Sequence, residues 1–363
     1  MSTTLVLSII LVCGGLITVL VGVLILRRLA LRAARAYNHR REAFFEDLIF
    51  HAILDPQHAE RLREIARRVY ARRWGGAPGL RPFDVRALER SLLRVARELR
   101  GSERQMLTDI FEETGGLARG LRQLRSPGCC RRLAAVQKLR IMRSRQAVPE
   151  LIAALNDRSR IVRHAALRAL GEIGDERAYP FLLQALETPA RWSPLRAADS
   201  VLAAGAAIAP LLIERFAAVR EPQIRAVYVR LFGLLRDPAA MPLLLPLLDA
   251  PELPLCIAAI QALSAIGDAE AASRVRMMLS DPRWEIRAAA ATALGALMDL
   301  ESAPMLERLL DDPVYLVGYS AAQSLITLRG KGRAMLQEAP EASETCIVPL
   351  ALQALGELAY GLV

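Results

Sequence analysis

A period of about 31 residues runs through positions 124–358, and it limits what this chain can fold into more than any single residue does. Steps of 29 to 33 residues from Arg132 land on Arg163, Arg196, Arg225, Cys256, Arg287, Gly318 and Val348, each followed by an Ala/Leu-rich run. A second column reads Pro149, Pro180, Pro210, Pro242, Ser273 and Pro304. One supersecondary unit repeated at such a period is the mark of a solenoid, in which each unit stacks on its neighbours because it cannot bury its apolar face alone.

Each unit carries two apolar-periodic segments spaced as helix faces, for example 161–173 and 178–186. Both are too long for typical strands, so helix pairs are expected. The Pro column falls in the first turn of the shorter helix, where the missing N–H has no intrahelical partner to lose. Asp157, Asp281 and Asp312 precede the longer helix by a turn. A carboxylate there can accept from free backbone N–H groups and meets the positive end of the helix dipole. Gly174 and Gly267 are placed to cap that helix in the left-handed conformation. Small residues such as Ala165, Ala166, Ala169, Ala289, Ala290 and Ala293 mark the faces where helices approach closely.

The pattern Asp, Arg six residues on, then Ala-rich turns ending in ALG-x-IGD, as in 157–175, resembles the short HEAT-like repeats first associated with bilin lyases and spread through bacterial scaffold proteins. The resemblance covers residues 126–363 and implies an all-α, right-handed HEAT-like α-solenoid. It also implies that Arg132, Asp157, Arg163, Arg196, Arg225, Asp281, Arg287 and Asp312 form an inter-repeat ladder, since a guanidinium can satisfy a carboxylate and backbone carbonyls at once. Cys256, Gly318 and Val348 depart from the column, which predicts looser stacking toward the C-terminus. Nucleic-acid contact is the rival reading of the column. The ladder is favoured because these arginines share a turn with acceptors.

Residues 4–26 form a 23-residue run without a charge. As a helix it is long enough to cross about 30 Å of hydrocarbon. A cleaved signal peptide would have a basic start, a shorter apolar run and a small-residue cleavage site. A single membrane-spanning helix is expected instead. Arg27, Arg28, Arg32, Arg35, Arg40 and Arg41 follow directly, and basic residues stay on the cytoplasmic side, so the expected location is an inner membrane with the N-terminus outside and the repeats in the cytoplasm. Residues 1–145 hold 28 Arg and Lys against 13 Asp and Glu, while 146–363 hold 20 against 25. The basic excess therefore lies beside the expected membrane, where it can meet anionic lipid.

Residues 27–74 read as a basic juxtamembrane helical segment and 75–125 as a linker and N-terminal cap, with helices over about 41–54, 57–73, 83–99 and 103–124 and a break at 75–79. Two apolar stripes, Phe44, Phe45, Leu48, Ile49 and Ile53, and Leu88, Leu92, Leu93, Val95 and Leu99, are expected to bury within the cap. Covering the first repeat needs such a cap.

No catalytic constellation is spaced usefully. His39, His51, His58 and His164 are scattered, there is no HExxH, and neither a dinucleotide nor a P-loop glycine motif occurs. This weighs against a zincin and against the di-iron hydroxylases that also use HEAT repeats. The five cysteines, Cys129 and Cys130 among them, form no ligand pattern. No cofactor or metal is expected and the chain reads as a non-enzyme.

Positions just after the Arg column and four further on should line the concave face: His164, Ala197, Ala226, Ile257, Ala288 and Tyr319, then Gln137, Arg168, Val201, Arg230, Gln261, Thr292, Gln323 and Gln353. Two arginines among fourteen are too few for the phosphate track of a HEAT-like DNA glycosylase. Small, apolar and amide side chains fit a protein partner better. The expected function is thus a membrane-anchored cytoplasmic scaffold. Its resemblance to anchored bacterial repeat proteins implies a membrane-associated partner in envelope or polysaccharide assembly. A bilin-lyase-type enzyme and a nucleic-acid binder are the alternatives.

Overall fold

The computed structural model describes residues 3–71 and 82–328, and every regular element among them is helical. Two compact units divide the chain, Met1–Ala165 and Ala166–Val363.

The first unit opens with α1 (Thr3–Leu54), one helix of 52 residues that joins the apolar run, the arginine collar and the expected 41–54 segment. Beyond residue 26 the run is dominated by Arg, Ala, Leu and Glu, all good helix formers, and the first proline is Pro56. There α2 (Pro56–Ala71) begins, with Asp55 Oδ1 accepting from the Gln57 N–H at 2.9 Å. α3 (Pro82–Glu98) lies against the C-terminal part of α1, and Phe45, Leu48, Ile49, Leu88 and Leu92 are buried. Phe44 and Phe50 stay exposed. Glu42 accepts from Arg90 and Arg94, and buried Glu89 accepts from Lys138 at 2.7 Å and pairs with Arg119 at 3.2 Å. The expected 103–124 helix is two, α4 (Gly101–Glu113) and α5 (Gly116–Leu124), because Gly115 turns the chain at φ 98°. α6 (Cys129–Met142), α7 (Val148–Ala154) and α8 (Arg160–Ile173) follow, and the boundary between units falls within α8. The expected break at 75–79 lies outside the described residues.

In the second unit, shorter helices α9 (Tyr179–Leu186), α11 (Ala209–Phe216), α13 (Met241–Leu244), α15 (Ala269–Met277) and α17 (Ala303–Arg308) alternate with longer ones. The longer ones are α10 (Pro194–Ala204), α12 (Pro222–Leu235), α14 (Leu253–Ile266), α16 (Trp284–Ala296) and α18 (Tyr315–Thr327). The Pro column occupies the first or second position of α7, α9, α11, α13 and α17, and each of these is preceded by a 3-10 turn. Proline cannot donate the hydrogen bond that would join turn and helix into one α-helix. Where Ser273 stands in the column, α15 starts directly at Ala269 with Asp268 as its cap.

Six residues with positive φ fix the period: Arg143, Gly174, Gly205, Arg236, Gly267 and Met298, each 31 after the last. They follow the longer helix of each repeat. Three of them are not glycine, and a Cβ in the left-handed region costs roughly 1 kcal/mol. Replacing Arg236 or Met298 with Gly should therefore raise stability by a few tenths of a kcal/mol, about 0.5 at most, after the extra freedom of the unfolded chain is subtracted. Thermal melting of each variant checks this.

The strict period corrects one column. Counting 31 from Arg163 reaches Pro194, and 31 more reaches Arg225; Arg196 is two residues out of register. α12, α14, α16 and α18 begin 31 residues apart, whereas α10 begins three residues late, after a turn that buries Trp192.

Among the described residues no single helix is long and apolar enough to cross a membrane. Most of the 4–26 run falls outside that statement, because side chains in α1 are described only from Leu20 onward. α10 and α11 together are apolar enough but meet at 104°, and Ala197, Val201, Leu212 and Phe216 between them are core residues.

Candidate functional site

Of the expected ladder, two rungs are closed. Arg132 donates from Nε and Nη2 to Asp157 at 2.7 and 2.9 Å, and from Nη1 to the carbonyls of Ser126 and Pro127. Arg287 does the same to Asp312 at 2.8 and 2.9 Å and to the carbonyls of Asp281 and Pro282. The carboxylates also accept from backbone, Asp157 from the Ser159 N–H and Asp312 from the Val314 N–H. The fork thus joins consecutive repeats and saturates the turn of its own. The hydrogen bonds from Arg132 hold the Asp157 carboxyl below the usual carboxylate range.

The rungs at Arg163 and Arg225 are open because the acceptor 25 residues on is missing. Thr188 stands there for Arg163, which donates to the Asp157 carbonyl at 3.0 Å. Ala250 stands there for Arg225, whose guanidinium lies 5.1 Å from the Phe216 ring centroid while its buried Nε finds no acceptor. Arg196, out of register, is exposed. At Cys256 the fork is rebuilt from the other side. Arg283 clasps Asp281 with two bonds of 3.0 Å and reaches back to the Ala250 carbonyl at 3.2 Å, while the Cys256 Sγ donates to Leu248 O at 3.1 Å. Sequence reasoning missed Arg283; an Arg two residues after Asp281, opposite a repeat lacking its own Arg, was the available signal.

The expected partner face divides similarly. Ala197 and Val201 are fully buried and Ala226 is 8% exposed, so these three are core residues. Ala197 and Val201 inherited the two-residue register error of Arg196; the positions equivalent to His164 and Arg168 are Leu195 and Asp199, both exposed. In the second unit Arg168, Arg230, Gln261 and Thr292 are exposed, and Ile257, Ala288, Tyr319 and Gln323 are half-buried. Arg168 pairs with Glu172 at 2.8 Å. Tyr319 stacks on Tyr315 with centroids 6.3 Å apart and accepts from Gln323 Nε2 at 3.1 Å. In the first unit His164 is half-buried and takes part in a bond with Arg160 Nε. Gln353 and Val348 lie outside the described residues.

The collar arginines Arg27, Arg28, Arg32 and Arg40 are exposed along α1, and Arg41 Nε donates to Tyr37 Oη at 3.3 Å; the side chain of Arg35 lies outside the described residues. Cys129 and Cys130 are exposed thiols with sulfurs 4.0 Å apart. Among the described residues no group of three or more His, Cys, Asp or Glu is arranged to hold a metal ion.

Comparison with known proteins places this architecture. The family model described as HEAT repeats matches residues 121–203, 209–283 and 257–326. The chain belongs to the HEAT repeat family. No curated protein matches it. Among solved structures it is similar to the CpcE–CpcF complex of phycocyanin lyase from Nostoc sp., at 23% identity over 66% of this chain and 94% of that one, with a TM-score of 0.31. Kap121p bound to Pho4p matches at 16% identity over 86% of this chain and 41% of that one, TM-score 0.47. Human deoxyhypusine hydroxylase in complex with glycerol matches at 19% identity over 83% and 97%, TM-score 0.29. At these identities the likeness is one of helical repeat architecture, and a HEAT array by itself carries unrelated activities.

Proposed function

We propose that this HEAT repeat protein is a non-enzymatic scaffold, anchored in a membrane through residues 4–26, that holds a protein partner on the exposed stripe of its longer helices. The observation that carries the reading is the stripe itself. From α14 to α18 it presents Ile257, Gln261, Ala288, Thr292, Tyr319 and Gln323, uncharged and ending in a stacked tyrosine pair. Interface cores are poor in charge and rich in aromatic groups, whereas phosphate tracking needs a run of cations.

Support for the anchor is the uncharged run, the unbroken helical backbone of α1 through it, and the exposure of Leu20, Val21, Val23, Leu24, Ile25 and Leu26. Exposed apolar side chains over consecutive turns are satisfied by lipid. The arginine collar then orients the body toward the cytoplasm and offers cations to anionic headgroups. A membrane-associated partner in envelope or polysaccharide assembly fits that location.

Capture of partners by the full chain from solubilised membranes tests the reading. Gln261→Glu with Thr292→Glu places two carboxylates on exposed positions and should cut capture at least tenfold, because an unpaired charge desolvated in an interface is costly. Ala226 is unsuitable for such a test, since a carboxylate at a core position would disturb folding. Gln184→Glu with Glu307→Lys, exposed on shorter helices, should leave capture unchanged. The reverse pattern would move the binding surface to the shorter helices. An active periplasmic reporter fused to the C-terminus would overturn the orientation.

A further inference from the structure

The open rung at Arg225 faces a cavity. Its volume is about 540 Å³, and its lining includes Phe216, Val219, Arg220, Arg225, Pro242 and Pro246. All of these belong to the second unit. In the closed rungs the same guanidinium atoms, Nε and Nη2, are occupied by a carboxylate at 2.7 to 2.9 Å. In this repeat Val219 and Ala250 stand where Asp157, Asp281 and Asp312 stand in others, so the unit supplies a fork with no carboxylate of its own. Arg225 Nε is buried, has no acceptor, and carries a desolvation cost that a hydrogen bond would remove. Arg220 adds a second, exposed cation at the rim.

We propose that this pocket binds the Asp or Glu side chain of an acidic peptide segment that also carries apolar residues, the bound carboxylate completing the Arg225 rung from outside. The chemistry is that of a guanidinium fork donating two parallel bonds to a planar carboxylate, as the closed rungs do to Asp157 and Asp312 and as a single carbonyl could not match. Phe216, over whose ring the guanidinium lies, and the two prolines add apolar surface that suits a Leu or Phe neighbour in the peptide. This site is independent of the exposed stripe on the longer helices.

The test uses the full chain purified in detergent and a labelled twelve-residue peptide alternating Glu and Leu, against its Gln/Leu counterpart, by fluorescence anisotropy. The Glu peptide should bind at least tenfold tighter. Arg225→Gln should remove that preference. Ala250→Asp should remove it too, by supplying the rung internally, and should raise the melting temperature at the same time. Because Ala250→Asp is expected to stabilise, loss of binding there cannot be confused with unfolding. Equal binding of the two peptides, or unchanged Glu preference in both variants, overturns the proposal. Binding of 3-phenylpropionate with the same affinity as the Glu peptide overturns the peptide assignment and leaves a small-molecule carboxylate site.

Discussion

Gly171→Ala should lower the stability of the chain by up to about 2 kcal/mol, although alanine is the better helix former. Propensity alone favours Ala by about 1 kcal/mol in a helix interior. A Cβ at Gly171, however, would stand 2.1 Å from the carbonyl oxygen of Ser200, in the neighbouring helix α10. That atom is backbone, so relief requires moving a helix, and forced overpacking costs typically 1 to 3 kcal/mol before the propensity gain is subtracted. Steric conflict therefore wins. The same crossing recurs two repeats apart: a Cβ at Gly233 would meet Ala262 Cα at 2.7 Å, and one at Gly295 the Ser324 side chain at 2.6 Å. Gly267→Ala is the contrast, since nothing lies within 4 Å and only φ of +84° opposes it; its cost should be nearer 1 kcal/mol. Thermal melting of the two variants decides the matter, and a Gly171→Ala protein as stable as wild type would show that the crossing tolerates a methyl.

Arg287→Ala should cost about 2 kcal/mol. The figure lies between an exposed ion pair, worth under about 1 kcal/mol, and a buried one whose breakage costs about 3 to 5, because the Asp312 side chain is 5% exposed and that of Arg287 15%. Two backbone carbonyls lose their donor as well. Burial raises the Asp312 pKa, but the bonds from Arg287 and the Val314 N–H outweigh it and leave the carboxyl below its usual value of 3.8. A depressed folded pKa means that the rung's contribution is fully present above the unfolded value and is lost as pH falls through the folded one. The gap in melting temperature between wild type and Arg287→Ala should accordingly be widest at pH 5 and above and should narrow below about pH 3.8. Arg196→Ala, exposed and out of register, should change little at any pH. A gap independent of pH would mean that Arg287 acts through packing and its carbonyl contacts alone.

Much of this architecture was legible because its signals are local. Pro149, Pro180, Pro210, Pro242 and Pro304 mark the starts of short helices through the chemistry of one residue, and Gly174 and Gly267 mark the ends of long ones through one dihedral angle. The 31-residue spacing follows from those marks repeated, so helix pairs and the HEAT fold could be read from the amino acids. The left-handed positions at Arg143, Arg236 and Met298 could not be seen by composition, since none is glycine; only their place in the period reveals them.

What the tertiary structure decided is where non-local partners meet. Whether an arginine of the column makes a rung depends on the residue 25 positions later, so Arg132 and Arg287 close rungs, Arg163 turns to its own carbonyls and Arg225 lies on Phe216. Ala197 and Val201 hold the core positions that Ala166 and Leu170 hold one repeat earlier, while Leu195 and Asp199 lie outside, a register invisible to a pattern that tolerates steps of 29 and 33. Helix identity rests on contacts within about four residues, which the sequence contains directly. Faces, rungs and the Arg225 cavity rest on how one helix is phased against the next, and that phase is set by packing.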